Sequence, residues 1–177
     1  MIKSRFVLAA LAVVSLSACR SSAPVFTAVP PDPALAVPGP VVLTVVNAQG
    51  RQTTFTRAGL AALGLVTFTT PDPSRKNEAH TYVGPLLSRA LEASGVQSDA
   101  TLHLVAHDRY TFDLKLAALK DVPIIMALKG DGQTLELRDF GPVYLTLPYH
   151  AVKLDPNLYN GAWVWQLMRI EERPAAP

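Results

Sequence analysis

Thr101-Leu102-His103-Leu104-Val105-Ala106 and Tyr110-Thr111-Phe112-Asp113-Leu114 flank the polar triplet His107-Asp108-Arg109. Both arms alternate apolar and polar residues, the period of a strand with one face in a core. The triplet between them has turn chemistry, so the stretch predicts an antiparallel hairpin. The pattern spreads outward in both directions. Val41 to Val46 is a β-branched run closed by Asn47-Ala48-Gln49-Gly50, and Gln52 to Phe55 reads as its hairpin partner. Thr56 is a good N-cap for a short helix over Arg57–Leu63, with Gly64 just past its end. Leu65 to Thr69 alternates as a strand, Pro71-Asp72-Pro73 stops it, and Ser74 to Thr81 reads as a polar loop. Pro85 opens a helix over Leu86–Ala93 that Gly95 ends.

Downstream of the hairpin, Pro123 to Leu128 is continuously apolar, as a central strand requires. Lys129-Gly130-Asp131-Gly132-Gln133 is a turn, and Thr134–Leu137, Val143–Leu147 and Trp163–Ile170 read as strands. Ile125 and Trp165 are expected in or near the core. The sum is a mixed α+β fold, rich in short strands, forming a single domain over residues 41–173. No internal repeat is visible, and residues 174–177 read as a frayed end.

The N-terminus carries a separate message. Lys3 and Arg5 precede an apolar run from Phe6 to Val14, which ends in Leu16-Ser17-Ala18-Cys19. Residues 1–18 have the plan of a secretory signal peptide. Leu16-Ser17-Ala18-Cys19 resembles the lipobox of bacterial lipoproteins, which implies a lipid on Cys19. The run is too short for a permanent membrane span, whereas several acyl chains on one residue would anchor the protein stably. The expected location is the periplasm, on a membrane. Arg20 after the cysteine, rather than aspartate, favours the outer membrane. Residues 20–40 hold six prolines among Ser and Ala, so residues 19–40 are expected to form the lipidated cysteine and an extended tether. In polyproline geometry such a tether reaches on the order of 65 Å.

Of 16 basic residues, two lie in residues 1–18, leaving 14 against 14 acidic residues in the mature chain. That balance argues against a nucleic-acid binder, which would call for a clustered basic face. Cys19 is the single cysteine, so a lipidated chain has no thiol for a disulfide, a redox pair or a metal. There is no Gly-x-Ser-x-Gly, no Gly-rich phosphate loop before a helix and no His-Glu-x-x-His. His103 and His107 are four apart, but on a strand that places them roughly 13 Å apart, too far for one metal. No metal site is expected. Glu171-Glu172 reads as a solvated charge at a strand end, and Asp131 between two glycines as a hairpin turn.

The order of segments resembles a known family. Phe55-Thr56-Arg57-Ala58-Gly59-Leu60 precedes Val66-Thr67-Phe68-Thr69-Thr70, then Tyr82-Val83-Gly84-Pro85-Leu86-Leu87 and Ala106-His107-Asp108-Arg109-Tyr110. Ile124-Ile125-Met126-Ala127 follows, before Gly130-Asp131-Gly132. Gly141-Pro142-Val143-Tyr144-Leu145-Thr146-Leu147-Pro148 and Trp165-Gln166-Leu167-Met168-Arg169-Ile170-Glu171 close the series. This looks like the molybdopterin-binding domain of the sulfite oxidase fold, over residues 41–172. In the larger enzymes of that family a cysteine follows the strand equivalent to Val66–Thr70 and binds molybdenum. Here the stretch reads Thr69-Thr70-Pro71-Asp72, and neither hydroxyl nor proline replaces a thiolate. The chain is closer to a short exported subgroup that also lacks the cysteine. Some of its members are implicated in binding pterins and in signalling to membrane-bound cyclic-di-GMP enzymes with a periplasmic sensing domain. Three departures from that subgroup stand out: no tryptophan between Pro71 and Thr81, Arg109 within Asp108-Arg109-Tyr110, and Ala162 where an arginine is usual.

What the resemblance implies is a non-catalytic lipoprotein of the cell envelope that binds a pterin or molybdopterin-like ligand. Its partner would be the periplasmic domain of a membrane signalling protein. A pterin is flat with donors and acceptors along one edge, so its site needs a platform and a few convergent polar groups. Asp108 suits the ring N–H groups, and Arg109 or Arg138 suits a carbonyl or phosphate. Tyr110 can stack or donate, Thr69 and Thr70 offer hydroxyls, and Gly141 permits close backbone approach. His107 belongs to the same turn, and Trp165 is the candidate platform. Asp108 and Arg109 equally suit plain turn residues, and Arg138-Asp139 a surface ion pair. Two other readings stay open: a molybdopterin-dependent oxidoreductase without a thiolate ligand, and a ligand-free envelope adaptor.

Overall fold

The computed structural model describes residues 25–173, which build two five-stranded sheets and a two-stranded one. In chain order the strands are β1 (Thr27–Ala28), β2 (Val41–Val46), β3 (Gln52–Thr56), β4 (Val66–Asp72), β5 (Glu78–Gly84) and β6 (Thr101–Ala106). β7 (Thr111–Lys115), β8 (Ile125–Ala127), β9 (Lys129–Gly130), β10 (Gln133–Thr134), β11 (Tyr144–Thr146) and β12 (Leu167–Arg173) follow. Three short helices accompany them: α1 (Arg57–Ala61), α2 (Leu87–Ser94) and α3 (Pro156–Tyr159).

One sheet runs β3-β2-β12-β6-β7. Its β6–β7 arm is the hairpin read from the sequence, with Leu102 opposite Leu114 and Leu104 opposite Phe112. β12 enters between β2 and β6, parallel to the first and antiparallel to the second. The second sheet runs β1-β4-β5-β9-β10. β8 and β11 pair with each other beside the end of β5, and every residue from Ile124 to Leu128 and from Val143 to Pro148 is buried. That explains their unbroken apolar sequence: a strand covered on both faces has no solvent side to alternate with. Ile125 is in the core as expected.

Helix boundaries follow the caps. Thr56 accepts from the Gly59 backbone at 3.0 Å and starts α1, while Gly95, at φ 73°, ends α2. α2 buries Leu87, Ala90 and Leu91, a stripe at helical spacing.

Several expectations fail, each for a physical reason. Residues 25–40 are not a free tether. Thr27 and Ala28 pair with β4, Leu35 is fully buried, and Asp32 takes Lys129 at 2.6 Å. One apolar side chain and one ion pair dock a segment whose prolines suggested only extension. Ser74–Thr81 is not a loop. A single 3-10 turn at Pro73–Arg75 reverses the chain, and β5 then pairs with β4 from Asp72↔Glu78 to Val66↔Gly84. Its outward residues are polar because only one face is covered. Trp163–Ile170 is not one strand: Gln166, at φ 53°, turns the chain, so β12 starts at Leu167. Trp163 takes the buried position instead, and Trp165 is 38% exposed. The strand expected over Thr134–Leu137 shortens to Gln133–Thr134. Glu172 is not a solvated end: its carboxylate is buried and accepts from the Ala48 and Gln97 backbones at 2.8 and 3.1 Å. The signal peptide, Cys19, the first part of the tether and residues 174–177 lie outside the described residues.

Candidate functional site

Along β4 the inward series is Val66, Phe68, Thr70 and Asp72, so strand alternation alone aims a carboxylate into the core. Asp72 is fully buried. Such a group is tolerated only when donors surround it, and three do. The Tyr82 hydroxyl donates to it, the Tyr144 hydroxyl lies 3.0 Å from one oxygen and 3.1 Å from the other, and the Ser74 backbone N–H donates at 2.8 Å. Burial, reinforced by the charge of Asp72, pushes both phenols above the ordinary tyrosine value. Both therefore remain protonated donors.

A second carboxylate stands nearby. Asp131 occupies a left-handed turn position at φ 49° between Gly130 and Gly132. It accepts from the Thr81 backbone at 2.9 Å, faces His80 Nδ1 at 2.7 Å, and meets the Arg75 guanidinium at 3.5 Å. Burial raises its pKa, but the Thr81 N–H and His80 outweigh that and hold it below the usual carboxylate range. Burial likewise works against the charge of Arg75, yet Tyr82, Asp131 and Asp72 more than offset it.

Aromatic rings connect this buried polar cluster to the surface. Tyr82 and Tyr144 meet edge to face at 5.6 Å, and Trp163 contacts both. Phe140 stacks on Tyr144 at 5.4 Å, Arg75 lies 5.7 Å from its ring centre, and Trp165 packs on it at 4.9 Å. Phe140 itself sits at φ 73°, a conformation that costs a bulky residue energy and is held by its surroundings.

The residues singled out from the sequence fall into two groups. One group gathers around Gln166. Its backbone N–H donates to Phe140 at 2.7 Å, its carbonyl accepts from the His107 N–H at 3.0 Å, and its side chain donates to the Leu137 carbonyl at 2.7 Å. The turn of His107, Asp108, Arg109 and Tyr110, the turn carrying Arg138, and Trp165 are thereby tied to one residue. All six are exposed. Within the first turn, Asp108 accepts from the Tyr110 N–H at 2.9 Å, Arg109 adopts φ 70°, and the Tyr110 hydroxyl donates to the Gly161 carbonyl at 2.9 Å. Arg138 pairs with Asp139 at 3.2 Å and is otherwise in solvent. The other group lies on or behind different elements. The Thr70 hydroxyl is buried on the Leu147 carbonyl, and Thr69 pairs with the Thr81 hydroxyl at 2.7 Å. Gly141 is buried against Leu135, where an added Cβ would lie 2.4 Å from its carbonyl. Its close approach is thus to the protein's own backbone.

Sequence reading missed Asp72, Arg75, His80, Tyr82, Phe140 and Tyr144. The available signal was slight: Asp72 continues the inward series of β4, and Tyr144 interrupts an apolar run.

The resemblance seen in the sequence implies a molybdenum–pterin cofactor, whose fit rests on the donors present. No cysteine lies between residues 25 and 173. At the end of β4, Asp72 offers a hard carboxylate that three protein donors already occupy. Soft and hard ligands are not interchangeable at such a metal. These residues do not fit molybdenum held through a protein sulfur. Among the described residues no group of three His, Cys, Asp or Glu side chains is placed to hold a metal ion.

No protein-family model matches the chain, and no curated protein matches it in sequence. Among solved structures, the sulfane dehydrogenase SoxCD from Paracoccus pantotrophus is similar, with a TM-score of 0.56 at 17% identity. The match covers 73% of this chain and 37% of that one, so this chain spans little more than a third of its length. The chain therefore has a strand-rich, sulfite oxidase-like fold in one small domain.

Proposed function

We propose that this protein is a non-catalytic, lipid-anchored protein of the cell envelope that binds a flat heteroaromatic ligand of the pterin or molybdopterin type. The observation that carries the reading is the surface gathered around Gln166. An exposed indole, Trp165, backed by Phe140, offers a stacking platform. Exposed guanidinium groups of Arg109 and Arg138 and the carboxylate of Asp108 stand on turns hydrogen-bonded to that same residue or next to it. A planar ring with an edge of donors and acceptors is the ligand such a set suits. Without a usable molybdenum ligand, the surface binds rather than reacts. Its output is occupancy, read by the periplasmic domain of a membrane-bound cyclic-di-GMP enzyme.

One observation favours a second reading, the ligand-free adaptor. At the end of β4, Asp72, Tyr82, Tyr144 and Thr70 satisfy one another or the backbone, and in this cluster only the buried His80 Nε2 and Trp163 Nε1 lack a partner among the described residues.

Calorimetric titration of oxidised and reduced pterins, with metal analysis of the purified protein, tests both. The expected result is saturable binding without molybdenum. Arg138→Ala and Trp165→Ala should weaken it by about 5- to 150-fold, the range for losing one or two polar or stacking contacts. No binding at millimolar pterin would leave the adaptor, and one equivalent of molybdenum would restore the oxidoreductase.

A further inference from the structure

A cleft of about 440 Å³ opens between α2 and the chain from Leu116 to Ile124, well apart in lining from the surface around Gln166. Its walls are Leu87 and Leu91 on one side and Leu116, Leu119, Val122 and Ile124 on the other. Backbone hydrogen bonds fix the lining segments at both ends. The Leu87 N–H donates to the Ile124 carbonyl at 2.9 Å, beside a bridge between Leu86 and Ile125. At the far end Gln97 N–H is held by Glu172 at 3.1 Å, and the Leu116 N–H by the Ala100 carbonyl at 2.9 Å. The cleft is therefore preformed, and its volume lies in the range of small-molecule sites, about 300–1,000 Å³.

Its chemistry separates it from an aromatic-ligand site. No aromatic residue lines it; its apolar lining is all aliphatic. The rest of the lining is largely polar: Ser88 and Glu92, four apart on α2, with Gln97, Ser98 and Lys120. Neither Glu92 nor Lys120 takes part in an ion pair among the described residues. A flexible chain of methylenes gains from aliphatic walls without needing a stacking plane, and a rim with one free cation and one free anion suits a zwitterionic head.

We infer that this cleft is a binding site for a single-chain aliphatic amphiphile with a zwitterionic head, its tail between Leu91 and Leu119 and its head at Glu92 and Lys120. The probe is dodecylphosphocholine, titrated below its micellar concentration into the full chain carrying Cys19→Ser, with dodecyl sulfate as the anionic comparison. Stoichiometric binding with a Kd below about 100 µM is expected for the zwitterion. Ser88→Phe and Ser98→Phe each place a ring at the mouth from an exposed position, and should weaken binding by about tenfold or more with an unchanged thermal midpoint. Two rim variants on different elements guard against one failing to fold. Absence of saturable binding to the wild type overturns the inference. So does equal affinity in a correctly folded rim variant, or tighter binding of dodecyl sulfate than of the zwitterion.

Discussion

Asp72 ends a strand and Asp108 follows one, and each caps the backbone N–H two residues on, at 2.8 Å to Ser74 and 2.9 Å to Tyr110. Locally they are the same device, an aspartate steadying a turn. They differ in what arrives from elsewhere in the chain. Asp108 sits in solvent and receives nothing further, whereas Asp72 receives the hydroxyls of Tyr82 and Tyr144, 10 and 72 residues away. One aspartate is a turn residue available to a ligand; the other is the centre of the core's polar network. The sharpest way to break that contrast is to remove both. Asp72→Ala would leave two buried phenols without their acceptor. At about 1–3 kcal/mol for each unsatisfied donor, the expected loss is about 2–6 kcal/mol, visible as a lower thermal midpoint. Asp108→Ala should shift the midpoint by under about 1 kcal/mol. Equal losses would mean that the network is not what distinguishes them.

The same contrast exists between neighbours on β12. Glu172 points inward and accepts two backbone N–H groups from the 47–50 turn and the end of α2, while Glu171 pairs with Arg169 at 2.6 Å on the partly open face. Charge-assisted bonds from fixed backbone donors are worth about 1.5–3 kcal/mol each at most, and surface pairs about 0–1. Glu172→Ala should therefore cost about 2–4 kcal/mol and Glu171→Ala less than about 1, measured by denaturant midpoint. Reversal of that order would show that the inward face of β12 has been assigned to the wrong residues.

What could be read from the sequence divides along the same line. The 101–114 hairpin, the caps at Thr56 and Gly95, and the central run at 124–128 are set by residues within a few positions of one another, and the pattern sufficed. The first half of β5, Glu78 to Thr81, has the composition of a loop because its stability comes from pairing with β4, which polar residues permit on an open face. Leu35 was hidden among prolines, and its burial depends on a domain that lies beyond it in sequence. Around Gln166, the turn residues were recognisable by type, but their convergence was not: three segments meet through Gln166 backbone bonds that leave no trace in side-chain pattern. The Asp72 network was less legible still, because its donors come from β5 and β11 and each looks alone like an apolar core residue.

Backbone conformation offers a finer test of the exposed side of the comparison. Arg109 holds φ 70° in the turn that Asp108 caps, a conformation costing a non-glycine residue roughly 1–2 kcal/mol. Arg109→Gly should relieve part of that cost, raising stability by about 0.5–1 kcal/mol after the entropy of glycine is deducted. A stability gain with weaker pterin binding would indicate that the arginine is kept for its guanidinium. A gain with unchanged binding would leave Arg109 a turn residue and narrow the site to Arg138 and Trp165.

The smallest effect concerns Asp131, intermediate between the two aspartates: half-exposed, yet held by Thr81, His80 and Arg75. Its carboxyl sits below the usual range in the folded protein because those contacts favour the charged form over the opposing effect of burial. A carboxyl whose folded pKa is depressed adds stability above its unfolded value, about 4, and loses that contribution as pH falls through the folded value. The acid limb of the stability profile below about pH 4 should therefore be shallower in Asp131→Asn than in wild type. Asp32, held low by Lys129, and Glu171, held low by Arg169, keep the remaining slope. Because Asp131 is solvent-accessible, salt should shrink the difference. Chemical denaturation from pH 2.5 to 6 at low and high ionic strength measures it. Superimposable profiles at low salt would show that the His80–Asp131–Arg75 contacts contribute nothing to the ionised state, and that the network proper ends at Tyr82.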